Sequence, residues 1–151
     1  MRNSLIKKGF TLLQVMIVVA IVIILAAVAI PNLLRSRINS NDGAVKEDLR
    51  AFSTAAESYR ISQTTPTYPD SITSLTNGNR PFLDSSWSSG NPLVATKHGH
   101  TVTYNFNNGS YYVTAVPQAG ASVQNYCIDH TGVLKVGSGT NSSGCTSTVT
   151  D

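Results

Sequence analysis

Charge is scarce along this chain: eleven basic and eight acidic side chains are spread over 151 residues. Three of the basic ones, Arg2, Lys7 and Lys8, precede residue 9, and past residue 60 only Arg80, Lys97 and Lys135 remain. Cations so scattered cannot track a phosphate backbone, which argues against direct nucleic-acid binding. Without residues 1–9 the formal charge is zero, since 11 − 3 = 8 basic residues then face 8 acidic ones. The sequence pI of about 9.0 is therefore mostly a property of the N-terminal flank.

Metal ligands and catalytic groups are equally thin. Asp129 and Asp151 supply the carboxylates of the last 60 residues. Calcium takes about 6 to 8 oxygens, so no such site is expected. His98-Gly99-His100 would set two imidazoles on one side if extended, but no third Cys, Asp or Glu ligand is near in sequence. A loop pair is the expectation, with no metal. His130 falls with Asp129 in an expected turn, where turn chemistry accounts for the Asp. No spacing asks for a nucleophile, base and orienter, so neither an enzyme nor a cofactor is expected. Aromatics make up 7% of the chain, and Phe10, Phe52 and Tyr59 are too sparse to argue for an electron path. Packing is their default role, and Trp87, alone among serines, is expected to be a buried loop anchor.

The two cysteines, Cys127 and Cys145, lie near the C-terminus. An even count in a chain with a candidate membrane span favours a disulfide, worth about 3 kcal/mol in the loop-entropy picture. The alternative is two unrelated thiols. Asn108-Gly109-Ser110 and Asn141-Ser142-Ser143 fit the N-glycosylation pattern.

What the sequence does have is one long apolar run. Leu12 to Ile30 reads LLQVMIVVAIVIILAAVAI, with Gln14 its one polar residue and no charge. That is close to the ~20 residues a helix needs to cross hydrocarbon, where backbone groups must be satisfied internally. Three readings compete. One is a signal anchor. Another is a cleaved signal peptide ending at Ala27-Val28-Ala29, although the run exceeds the usual apolar region of about 7 to 15 residues. The third places a cut before the run, between Gly9 and Phe10.

KKGFTLLQVMIVVAIVIILAAVAIPNLLRSR, residues 7–37, resembles the N-terminus of type IV pilins and of type II secretion pseudopilins, and looks nearer to the type IVa-like pilins. The resemblance covers about 50 residues strongly, and a composite of basic leader, G-F-T, apolar run and proline rarely arises by chance. It implies a leader, residues 1–9, removed by a prepilin peptidase after Gly9, and N-methylation of the new terminal Phe10. It also implies residence in the inner membrane before assembly, followed by homopolymerisation with identical or related subunits. Pro31 would be the helix-kinking proline. Gln14 stands where most of the resembled family carry a glutamate, whose implied role is to pair with a neighbour's N-terminal ammonium. An amide accepts such a bond without the charge that strengthens it, and costs less to hold unpaired in lipid.

After Pro31 the pattern stays helical. Ile38, Val45, Phe52 and Tyr59, with Leu49 and Ala56 interleaved, draw one apolar stripe, while Lys46, Glu47, Asp48, Arg50, Glu57 and Arg60 fill the other faces. Pro31 and Gly43 make residues 31–43 the weak part of a helix of roughly 50 residues. Residues 63–100 are dense in Ser, Thr, Pro, Gly and Asn and read as a connecting loop, with a short helical turn capped by Asp70. From Thr101 the period changes to two, predicting a hairpin through Asn107-Asn108-Gly109 and further strands at Asn125–Ile128 and Val133–Val136.

The expectation is an α+β fold: a long N-terminal helix, apolar half protruding, on a small antiparallel sheet of three or four strands. Its segments are a leader at 1–9, a hydrophobic helix at 10–34, an amphipathic continuation at 35–62, a loop at 63–100, and sheet with a disulfide-closed tail at 101–151. The expected function is that of a structural pilus subunit at the cell surface, serving adhesion, twitching motility or DNA uptake. Alternatives are a periplasmic pseudopilin of type II secretion, or a secreted or anchored binding domain that does not polymerise.

Overall fold

The computed structural model describes residues 10–88, 90–91, 93–107, 109–122, 124–137 and 147–148. The chain divides into two compact units, Met1–Ser36 and Arg37–Asp151. Helix α1, Leu12–Ser62, is continuous in sequence through both. Thr11 caps it: the Gln14 amide donates to Thr11 Oγ1 at 3.3 Å and to its carbonyl at 3.1 Å, satisfying a first-turn N–H that has no helical partner. The expected start at residue 10 is therefore two residues early, because Phe10 and Thr11 lie outside the helical run.

Within the second unit the helical stripe is buried as its spacing requires. Val45, Leu49, Phe52 and Ala56 are fully inaccessible, at intervals of four, three and four residues. Tyr59, further along that stripe, is half-buried against the core. Phe52 is the centre of an aromatic cluster, with ring centroids 5.3 Å from Trp87, 5.3 Å from Tyr104 and 6.1 Å from Tyr111, all tilted or edge-on. Such geometry suits the ring quadrupoles and adds to the area buried. Trp87 is indeed a buried anchor, held on a one-turn 3-10 helix, Ser85–Trp87, whose preceding Asp84 accepts from the Ser86 amide at 2.7 Å.

The sheet has six strands in the order β1-β2-β3-β4-β5-β6, every neighbouring pair antiparallel. They are β1 Val94–Lys97, β2 His100–Asn107, β3 Ser110–Pro117, β4 Tyr126–Asp129, β5 Leu134–Val136 and β6 Ser147–Thr148. Asn107 pairs with Ser110, so β2 and β3 form the hairpin that the two alternating runs predict. Inward residues alternate as a period of two demands: Val102 and Tyr104 on β2, Tyr111, Val113 and Ala115 on β3, Tyr126 and Ile128 on β4 are all buried.

Two expectations about residues 63–100 need correction. The stretch is not a plain loop, since β1 lies inside it, pairing Val94 with Thr103 through to Lys97 with His100. Four residues embedded in Gly, Pro and Ser carry too little periodicity to be recognised, and β2 supplies the missing partner. The short helix α2, Ile72–Thr76, is capped by Ser71, whose Oγ accepts from Ser74 N, and not by Asp70. Asp70 acts one step behind, accepting from the hydroxyls of Ser71 and Ser74, and those bonds hold its carboxyl below the ordinary range.

The candidate assembly helix and its surroundings

Apolar side chains normally disappear into a core, and those of the first half of α1 do not. From Leu12 to Ile30, fourteen large apolar side chains are 47% to 78% exposed. At a lower bound of about 1.5 kcal/mol each, burying them in lipid or against other helices is worth on the order of 20 kcal/mol. A helix of this length and composition can cross a membrane. Phe10, two residues before its first helical residue, is 75% exposed. Gln14 is exposed in the first turn, and among the described residues its side-chain amide has no hydrogen-bond partner. Gly9 lies outside the described residues. At Pro31 the helical run is uninterrupted. Proline has no N–H to give the Ala27 carbonyl, and the Asn32 side chain donates to the next one, Val28 O, at 3.2 Å.

A small charged cluster ties the C-terminal end of α1 to the chain leading into α2. Arg60 pairs with Glu57, the Tyr68 hydroxyl donates to Glu57 Oε2 at 3.1 Å, and Arg60 lies 5.5 Å from the centre of the Tyr68 ring. The Arg60 hydrogen bond is the main reason that the Glu57 carboxyl is held below its usual range. Deeper in, the Tyr104 hydroxyl donates to the Pro69 carbonyl and the Tyr111 hydroxyl to Ser53 Oγ at 3.0 Å. Burial pushes the Tyr111 hydroxyl up to about 12, so it stays a neutral donor.

The histidine pair is not extended. His98 and Gly99 form the two-residue β1–β2 turn with φ of 46° and 74°, and His100 begins β2, fully buried. Each imidazole faces a carboxylate of α1: His98 Nε2 is 3.3 Å from Asp48 Oδ2, and His100 Nε2 is 3.8 Å from Asp42 Oδ1. Sequence reasoning missed these partners because they come from about fifty residues away, and no local spacing signals them. Among the described residues no group of three or more His, Cys, Asp or Glu side chains is arranged to hold a metal ion. His130 stands exposed in the β4–β5 turn, where Asp129 Oδ1 accepts from the Thr131 amide at 2.9 Å. Cys127 is buried on β4; Cys145, Asn108 and Asn141 to Ser143 lie outside the described residues.

Over part of its length the chain is similar to three known proteins. The chain is 48% identical over 53 residues to the type IV major pilin protein PilA of Myxococcus xanthus, covering 35% of this chain and 24% of that protein. It is 49% identical over 61 residues to the type IV wide pilus major component PilA4 of Thermus thermophilus, covering 40% and 44%. To the type II secretion system core protein G of Klebsiella michiganensis it is 34% identical over 55 residues, covering 36% and 39%. The chain spans less than half the length of each of these relatives. No family model matches it, and no solved structure does.

Proposed function

We propose, from its membership of the type IV pilin and pseudopilin family, that this chain is a structural subunit of a type IV pilus, polymerising through the first half of α1. The observation that carries this reading is the row of exposed apolar side chains from Leu12 to Ile30. A surface of that size is unstable in water, and two environments cover it: lipid before assembly and the helices of other subunits afterwards. In this reading a prepilin peptidase removes residues 1–9 after Gly9, Phe10 is methylated at its new amino group, and the subunit leaves the inner membrane for a surface fibre. Pro31 is the proposed point of bending. The fibre's uses, by analogy with the family alone, are adhesion, twitching motility or DNA uptake.

Gln14 sets this chain apart from a charge-paired assembly. A neutral amide supplies a hydrogen-bond acceptor near a neighbour's terminal ammonium but no ion pair. The proposed Cys127–Cys145 disulfide fastens the tail to β4. It is supported by the lack of a free thiol among the described residues, and by β6, which returns the chain to the sheet two residues after Cys145. Thiol labelling of the denatured, unreduced chain should find no reactive cysteine, and two labels per chain would remove this element.

Mass spectrometry of the mature N-terminus, followed by electron microscopy of sheared surface fibres, tests the whole reading. N-methyl-Phe10 and fibres containing this chain are expected. An intact Met1, or Ile30 as first residue, refutes it. The likeness to the secretion core protein favours a second reading, a periplasmic pseudopilus, which methyl-Phe10 without surface fibres would support. A non-polymerising anchored domain would give neither.

A further inference from the structure

Among the described residues, the buried side-chain nitrogen and oxygen atoms with no hydrogen-bond partner are Asp42 Oδ1, Asp48 Oδ2 and His100 Nε2. All three belong to the contact between α1 and the β1–β2 turn. A buried polar atom left without a partner is costly, and three in one place ask for a common cause. We propose that this cluster is a proton-operated latch, in which acidification fastens the Asp42–Asp48 segment of α1 to the β1–β2 turn and loss of the proton loosens it.

The argument rests on which atoms can donate. His100 Nδ1 lies 3.2 Å from the His98 carbonyl, and a carbonyl oxygen only accepts, so Nδ1 carries the hydrogen. In the neutral ring Nε2 is then a bare acceptor. It faces Asp42 Oδ1 at 3.8 Å, and an ionised carboxylate is also acceptor-only. Two acceptors held together out of water repel and forgo hydrogen bonding. A single proton on either atom turns the pair into donor and acceptor and lets the gap close. His98 Nε2 meets Asp48 Oδ2 at 3.3 Å at a more exposed position, with the histidine side chain 46% exposed against none for His100.

Of the other groups around the cluster, Tyr126, whose ring packs 6.1 Å from His100, is hydrogen-bonded to the Asp42 carboxylate and is pushed up to about 12, mainly by burial and then by Asp42. It therefore donates to Asp42 but keeps its hydrogen, and Asp42 Oδ1 is still without a partner. Lys46 of α1 lies 5.3 Å from the centre of that tyrosine ring, and Lys97 of β1 lies 4.8 Å from the Trp87 ring. Residues 118–125, between β3 and β4, contain no ionisable side chain.

The surroundings are built for close contact. A Cβ on Gly99 would overlap Ala121 Cβ, the Gly99 carbonyl accepts from Gln118 N at 2.7 Å, and Asn41 Nδ2 donates to Ala121 O at 3.3 Å. The latch thus grips α1 beside Gly43, the residue of lowest helix propensity in the part of α1 that belongs to the second unit.

Thermal unfolding of the full chain in detergent micelles at pH 5 and pH 8 tests the latch, and its readout does not depend on whether the chain forms fibres. Stabilisation is present while the shared proton is bound and is lost when it leaves. The wild-type midpoint should be lower at pH 8 by about 4 °C, a shift typical of one such contact in a domain of this size. Asp42→Asn places a permanent donor opposite Nε2 and should shrink the loss to about 1 °C or less, whereas His130→Gln should leave it intact. An unchanged loss in Asp42→Asn overturns the proposal. Nitrogen-15 NMR of the wild-type histidines gives a second reading: His100 should be the Nδ1–H tautomer at pH 8, and an Nε2–H tautomer also overturns it.

Discussion

Replacing Phe52 by alanine should be among the most damaging single changes in the second unit, and its size can be worked out from the contacts. The side chain is fully buried and touches three aromatic rings, those of Trp87, Tyr104 and Tyr111, at centroid distances of 5.3 to 6.1 Å. Truncating a buried phenylalanine costs about 3 to 5 kcal/mol in lost transfer energy and cavity. Each aromatic pair adds roughly 0.5 to 1.5 kcal/mol beyond area, so the upper part of that range applies here. Against a total stability of about 5 to 15 kcal/mol, such a loss removes a third or more. The helix itself would not suffer, because alanine is the best helix former; the damage is to the seam between α1 and the sheet. The assay is urea unfolding of the full chain in detergent, monitored by tryptophan fluorescence, since Trp87 reports on the same cluster. Phe106→Ala is the control, because that ring is 41% exposed, and should cost about 1 kcal/mol or less. A loss below about 1.5 kcal/mol for Phe52→Ala, or one no larger than the control, would refute the claim that this ring organises the core.

Three other residues give outcomes of their own. Gly99→Ala should destabilise by about 2 kcal/mol or more, since the new Cβ overlaps Ala121 and φ is +74°; combining it with Ala121→Gly should recover part of the loss in the same unfolding assay. Gly43→Ala, where nothing lies within 4 Å of the added methyl, should instead stabilise by about 0.5 to 1 kcal/mol, seen as slower amide exchange around residue 43. The Asp70 carboxyl is held below its ordinary range by the Ser74 and Ser71 hydroxyls, so its contribution is present above the unfolded range and lost as pH falls through the folded value. Amide exchange in α2 should therefore accelerate on acidification below about pH 4, and Asp70→Asn should abolish that dependence.

The parts of the fold legible in the sequence are those with a strong local period. Val45, Leu49, Phe52 and Ala56 repeat at helical intervals and lie on one buried face. Asn-Gly between two alternating runs marks a hairpin, and the ladder closes around it. β1 is not legible, because its four residues gain their meaning from Thr101, Val102 and Thr103 alongside. The cap of α2 lies one position beyond the expected one, since Ser71 and Asp70 are both good capping residues and only the backbone decides between them. The apolar helix announces itself through composition alone, whereas the histidine–aspartate contacts join α1 to a turn about fifty residues later and leave no mark in either segment.

The strand order has a bearing on how the chain folds as it is made. Each strand pairs with its immediate successor, so the sheet can zip hairpin by hairpin, closing short loops in microseconds without waiting for distant segments. The buried face of α1 is synthesised first and acquires its cover last, once Tyr104 and Tyr111 have emerged. During that interval Val45, Leu49 and Phe52 are bare, and the nascent chain is most open to capture by a chaperone or by another unfinished copy.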